Sequence, residues 1–381
     1  MKPLLSIVVP TKDRYKYLKH LITLIDSFHS DEIELILQDN TANNEEIVTF
    51  LNQKAYPYIK YTHSFEQISV SENSDRALLN SSGEYVCYIG DDDGVTSHII
   101  DCVKWMKLND IDVVVPASVV YLWPDYQDSL NPNLNSIIQY EEFSNKIEIV
   151  NIGEALNKSL NEGFINRGIL PLLYHGIVKR SALDEIYKIG GTFFPGPSPD
   201  MANGVALCFS IKKYARVDFP IIISGASAEH AGGAHKLKDE LAEIEDCPFL
   251  PQNAKENWER NLPKIWAGET VWPESAIKAL RYMNKEDVIK RVNFEFAQAM
   301  FIMGHIRYWR YAFKVTDSPI KLIYVLAKFN LLRVPKGIFR RIKKVSENNR
   351  AKTVHKIRNI QEVQNYLLLK YPTFHSVDIK E

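Results

Sequence analysis

The chain is poor in cysteine and lacks the glycine motifs of the common nucleotide folds. Its four cysteines, Cys87, Cys102, Cys208 and Cys247, lie far apart and form no CxxC pair. A disulfide framework and a cysteine zinc site are therefore not expected, and reduced structural cysteines are. There is no GxGxxG and no GxxxxGK[ST], which argues against a dinucleotide fold and a P-loop. No apolar run is long enough for a clear membrane span, and the one at the start is too short for a secretory signal. A cytoplasmic location is expected. With 45% hydrophobic and 24% charged residues in 381, the chain can bury a sizeable core in two or three units.

The net charge of −1 conceals an asymmetry. Residues 1–304 carry 29 basic against 42 acidic side chains, and residues 305–381 carry 17 against 5. A basic last fifth on an acidic body suggests a polyanionic partner.

The most informative stretch is Asp91-Asp92-Asp93-Gly94, which follows the apolar run Tyr85–Ile89. An isolated Asp-Gly run is commonly a solvated acidic turn. Three adjacent carboxylates at the end of a buried strand repel one another and need a cation or strong donors. A hard divalent ion, Mg²⁺ or Mn²⁺, suits such oxygens and leaves room for phosphate.

Upstream, apolar runs at Leu4–Pro10, Ile33–Leu37 and Tyr58–Thr62 alternate with helical patterns at Tyr15–Ile25, Glu45–Asn52 and Asn73–Asn80. The alternation predicts an α/β fold, a mostly parallel sheet flanked by helices. Ligands sit at the carboxyl ends of the strands in such sheets. Thr11, Asp39 and Asp91–Asp93 all fall there.

Leu5-Ser-Ile-Val-Val-Pro-Thr-Lys-Asp-Arg14, Glu34-Leu-Ile-Leu-Gln-Asp-Asn40 and Gly83-Glu-Tyr-Val-Cys-Tyr-Ile-Gly-Asp-Asp-Asp93 together resemble the start of a family 2 glycosyltransferase with a GT-A fold. The resemblance covers about residues 4–120 and loosens towards residue 235. It implies a nucleotide-diphosphate sugar donor held by Thr11, Asp39, Arg14, Asp91 and Asp92. Asp39 would read the base edge or ribose, and Asp93 would hold a divalent metal (Mn²⁺ or Mg²⁺) against the diphosphate. Arg76 is either a diphosphate contact or a surface charge, and Asn73 has a local hydrogen-bonding role. The QxxRW signature of processive synthases is missing.

An inverting transfer needs a base for the acceptor hydroxyl. The loop Phe194–Pro199 leads to Asp200 near a helix start, where an Asp also suits a cap. The resemblance favours Asp200 as catalytic base, although Pro199 stands where the family usually has an acid. Family members often complete the metal shell with a late histidine. The small-residue segment Gly225–His235 offers His230 and His235, and a plain polar loop is the competing reading. His175 is read as structural, in a stretch bordering an acceptor pocket.

Three units are expected: residues 1–235 as catalytic domain, 236–304 as a helical subdomain, and 305–381 as a basic amphipathic helical tail. Aromatic and basic residues interleave in the tail, for example Arg307-Tyr-Trp-Arg310. That suits an anionic membrane surface on the cytoplasmic face. Packing on the body or in a homo-oligomer is the alternative. No nucleic-acid module is visible. The acceptor is expected to be a saccharide, free or lipid-linked, in bacterial surface polysaccharide synthesis. Rival readings are an inactive scaffold of this fold, a haloacid-dehalogenase-type phosphatase using Asp91, and a sugar nucleotidyltransferase.

Overall fold

The structure is a computed structural model describing residues 2–128, 131, 134–228, 241–247, 250, 254–329 and 352–374. Strand β1 (Leu5–Thr11) opens the fold and is followed by helix α1 (Tyr15–Asp26). Then come β2 (Ile33–Asp39), α2 (Glu45–Leu51), β3 (Ile59–His63), α3 (Val70–Leu79), β4 (Tyr85–Tyr88), β5 (Gly94–Val95) and α4 (Ile99–Leu108). The middle of the chain supplies β6 (Val113–Leu122), β7 (Ile137–Tyr140), β8 (Ile147–Ile149), α5 (Ile152–Asn161), β9 (Ile177–Lys179), α6 (Arg180–Gly190), α7 (Pro199–Leu207) and β10 (Tyr214–Ala226). A helical region follows, with α8 (Gly268–Tyr282), α9 (Glu286–Ile289), α10 (Phe294–Gly304), α11 (Trp309–Val315) and helical residues 319–329 as α12. Strand β11 (Lys352–His355) and helix α13 (Ile360–Lys370) come last.

The eleven strands of the described residues join one sheet, whose main path runs β11-β7-β6-β9-β4-β1-β2-β3. The β4-β1-β2-β3 half of the main path is parallel, as its strand–helix alternation predicts. The other half is largely antiparallel, because β9 inserts between β4 and β6 and runs against both. Parallel pairing returns only between β6 and β10. The sheet is therefore mixed.

Alternation along the strands divides the core into two layers. Ile7, Val9, Leu35 and Leu37 face α1, α4 and α13, while Val8 and Ile36 face α3 and α6. The side chains named here are fully buried. At about 25 cal/mol per Å² of apolar area, each large aliphatic side chain contributes about 1.5–3 kcal/mol.

Against the expected separate tail over 305–381, the described residues 352–374 join the catalytic sheet and its core. Strand β11 pairs antiparallel with β7, and α13 places Ile360, Val363 and Leu367 in the layer that holds α1. The i, i+3, i+7 spacing of those three residues makes one apolar helix face, and that face is buried here. Among the described residues, no helix is long and apolar enough to cross a membrane. All four cysteines are free thiols.

Candidate active site

The carboxyl ends of β1, β2 and β4 set the site. Asp91, Asp92 and Asp93 follow β4 and are only 2%, 3% and 1% exposed, so their charges need partners inside the protein. Arg14, at the start of α1, supplies the first. Its guanidinium lies 2.8 Å from Asp91 Oδ1 and 2.5 Å from Asp92 Oδ2, and it donates to Ser227 Oγ at 2.9 Å. Ser227 Oγ donates in turn to Asp92 Oδ2 at 2.8 Å. Thr11 Oγ1 donates to Asp91 Oδ2 at 2.7 Å. Burial, only partly offset by Arg14, pushes Asp91 up to about 7.

Asp93 points the other way and gathers four donors. The backbone N–H groups of Gly90 and Gly225 reach it at 2.8 Å each. The Tyr174 hydroxyl donates at 2.7 Å, and His175 Nε2 is at 2.8 Å. Burial alone would raise this carboxyl. The His175 ring, the Tyr174 hydroxyl and the Gly90 amide outweigh burial and hold it below the ordinary range. Gly225 has to be glycine, since a Cβ there would stand 1.8 Å from the Asp92 carbonyl oxygen. Trp123 Nε1 donates to that same carbonyl at 2.9 Å.

His175 and Tyr174 are the residues the sequence reading missed as site groups. His175 adopts a left-handed φ of 63°, uncommon for a residue with a Cβ. The strain brings its ring beside Tyr174, centroids 3.9 Å apart, and both onto Asp93. A histidine at Tyr-His-Gly just before an apolar strand was the available signal.

Asp39 departs from its expected role. Its carboxylate is fully buried and accepts from the Tyr15 hydroxyl at 2.6 Å, the Tyr61 hydroxyl at 2.8 Å and the Thr41 amide at 2.8 Å. It orders the wall of the site and presents no open edge to a base. Arg76 is a surface charge, paired with Glu66 and Glu72. Asn73 makes the expected local contacts, long ones to the carbonyls of Thr11 and Gln38.

Asp200 lies in the first turn of α7, one position inside Pro199, with Ser198 as the N-cap residue. It is therefore not the cap, although the helix dipole favours a carboxylate there. The helix starts at Pro199, because Pro suits the first helical position. Arg167 Nη1 is 3.2 Å from Asp200 Oδ2. Protein crowds the carboxyl although 36% of the side chain meets solvent. That crowding raises its pKa, Arg167 and His175 oppose the rise, and Asp93 adds to it. Asp200 is thus electrostatically coupled to the aspartate cluster.

Among the described residues no three metal-ligating side chains converge. The charges that a divalent ion would neutralise are met by Arg14, His175 and backbone amides. The described arrangement does not fit the expected cation at Asp93. His230 and His235 lie outside the described residues.

Comparison with known proteins agrees with this architecture. Residues 6–161 match the family described as Glycosyl transferase family 2. The chain is 24% identical over 198 residues to Glycosyltransferase GlyG of Streptococcus pneumoniae serotype 4. That match covers 51% of this chain and 62% of the relative. The fold resembles that of S. aureus TarS 1-349, solved in complex with UDP-GlcNAc. The TM-score is 0.50 at 13% identity, covering 87% of this chain and 92% of the other. Residues 6–161 are thus similar to the family 2 glycosyltransferases, and the fold is of the GT-A type.

Proposed function

We propose that this protein transfers a glycosyl group from a nucleotide-diphosphate sugar to an acceptor hydroxyl, with inversion at the anomeric carbon. The observation that carries the reading is the Arg14–Asp91–Asp92–Ser227 cluster at the strand ends, electrostatically linked through Asp93 and His175 to Asp200. A GT-A site needs a fixed cation for a departing diphosphate and a carboxylate for the incoming hydroxyl. Arg14 and Asp200 fill those places.

In this mechanism the acceptor oxygen attacks the anomeric carbon. The bond from that carbon to the diphosphate oxygen breaks, and the diphosphate leaves with the electron pair. Asp200 takes the acceptor proton. Arg14, held by two buried carboxylates, meets charge developing on the diphosphate without reorganising. Thr11 and Ser227 fix those carboxylates, and Asp39 fixes the nucleoside wall through Tyr15, Tyr61 and the Thr41 amide.

The acidic body and basic segment also support a location. On α11, α12 and the short turn before them, Ile306, Trp309, Ile320, Ile323 and Tyr324 are exposed, beside Arg307, Arg310 and Lys321. Apolar groups among cations suit an anionic membrane surface, where a lipid-linked saccharide would be reached.

The test is a panel of nucleotide-sugars, each with and without Mn²⁺, read by thermal shift and by released nucleoside diphosphate. Stabilisation and release with at least one donor is the expected result. No stabilisation by any donor or nucleoside diphosphate, under either condition, would overturn the reading.

A further inference from the structure

Arg167 lies in the loop between α5 and β9, outside the family match of residues 6–161. Phe164 and Leu170, three residues to either side, are buried in one apolar cluster with Met201 and Val205 of α7. The loop therefore stands on the same helix that carries Asp200. Backbone contacts fix it further. The Leu170 amide donates to the Arg167 carbonyl at 3.1 Å, and the Tyr214 hydroxyl donates to the Leu170 carbonyl at 3.2 Å. A Cβ on Gly204 of α7 would stand 2.8 Å from the Pro171 carbonyl oxygen, so the loop rests on the helix backbone. Gly168, at a left-handed φ of 53°, turns the chain directly after Arg167.

Among the described residues, the ion pair of this guanidinium is with Asp200 alone. Its Nη1 donates to Asp200 Oδ2 at 3.2 Å, and Asp200 Oδ1 takes no hydrogen bond from a described residue. One oxygen is held and the other is left open. A base needs that arrangement, because its accepting atom must be aimed at the proton and still be free to take it.

The charges around Asp200 leave Arg167 a distinct part. The carboxyl faces Arg167 from this loop, Tyr174 and His175 from the end of the same segment, Tyr88 of β4, and Asp93 beyond it. From α8 the near contact is neutral, Ser275 Oγ on the Ser198 amide. The chain neighbours Pro199 and Met201 carry no charge. Burial and Asp93 favour the protonated acid, and Arg167 opposes them more strongly than His175 does.

We infer that Arg167 is a positioning residue for the proposed base: it fixes the Asp200 carboxylate through Oδ2 and leaves Oδ1 for the acceptor proton. The inference rests on the glycosyl-transfer reading and adds a residue to it. The proton passes from the acceptor oxygen to Asp200, and Arg167 keeps its own, since a guanidinium is not deprotonated in proteins.

Two measurements on the full chain test it. Carbon-detected NMR of aspartate-labelled protein follows the Asp200 carboxyl against pH, with Asp200→Asn assigning the signal. Initial rates of nucleoside diphosphate release, with the donor found in the panel and water as acceptor, give kcat and KM against pH. Arg167→Gln should move the Asp200 titration up by about one pH unit, the low end for losing an opposite charge at this range. The base works ionised, so the acidic limb of kcat should move to higher pH with it. On that limb kcat should fall about tenfold, the ionised fraction lost per pH unit, with the donor KM unchanged. Arg167→Lys keeps the charge and should restore most of the titration position. Arg167→Ala is read in the same way should the Gln protein not fold.

An Asp200 titration that stays in place without the guanidinium overturns the inference. So does an unmoved limb with kcat and KM both impaired, the mark of a loop that has only lost its shape. The two readings fail separately. A wild-type protein that releases no nucleotide from any donor sinks the proposed function, while the carboxyl titration still reads the pair. Release by the wild type, with an unmoved titration in Arg167→Gln, sinks Arg167 alone.

Discussion

His175 Nε2 stands 2.8 Å from Asp93 Oδ2, and the pair joins segments 82 residues apart. The contact closes the charge balance of the aspartate run from the side opposite Arg14. At Asp200 the two groups act oppositely, His175 lowering and Asp93 raising its pKa.

His175→Ala should lose this partner while Asp93 stays buried. Asp93 keeps three donors and loses one hydrogen bond to a charged group, which costs about 1.5–3 kcal/mol, so a lower melting temperature is expected. Transfer should fall by roughly 10²-fold, the scale of losing one electrostatic group at a catalytic site. Wild-type turnover in a folded His175→Ala protein would show that the contact is only architectural.

Asp200→Asn should keep donor binding and lose transfer, by roughly 10²–10⁴-fold for removal of a general base. The pH profile adds a second readout. Burial raises the Asp200 pKa, and the base works only when ionised. Turnover in the wild type should therefore fall, as pH drops, at values above the ordinary carboxylate range. An acidic limb at or below that range would exclude Asp200 as the group being titrated.

Glu274 offers a test of stability against pH. It is fully buried in α8, and burial raises its pKa despite the Glu259 amide and Lys278. A raised carboxyl binds its proton more tightly in the folded state. Its contribution is fully present below the unfolded value and is lost as pH rises through the folded one. Glu274→Gln should therefore gain melting temperature relative to wild type at about pH 8 and not at about pH 4. Equal shifts at both would mean that the folded pKa is not raised.

For the membrane surface, co-sedimentation with anionic vesicles is the direct measurement. Each basic residue near such a surface contributes about 1 kcal/mol, and the exposed side chains add a salt-resistant part. Trp309→Glu with Ile320→Glu should reduce binding and leave the fold intact, because both side chains are exposed. Equal sedimentation of variant and wild type would leave packing or self-association as the role of this face.

The donor rim was legible because it is local. Short apolar strands whose carboxyl ends lead into Thr11, Asp39 and Asp91 place those residues together once these strands pair in parallel, and Arg14 comes shortly after β1. The rest of the site depends on strand insertion that no local period reveals. Strand β9 enters between β4 and β6 and delivers Tyr174 and His175. The thirteen-residue strand β10 delivers Gly225 and Ser227 from the other side. Asp39 was placed correctly on the rim, but its direction depended on two tyrosines from α1 and β3. At the other end of the chain, the excess of lysine and arginine masked the buried face of α13.

The position of β11 and α13 carries a consequence for biosynthesis. The ribosome makes the donor-rim segments first and the helix that covers their shared core layer last. Until residues near 370 emerge, the α1 face of the nascent domain exposes the apolar surface that Ile360, Val363 and Leu367 later cover. The growing chain therefore carries a sticky, unfinished catalytic half for most of its synthesis. A nascent chain stalled before β11 is a natural client for chaperones.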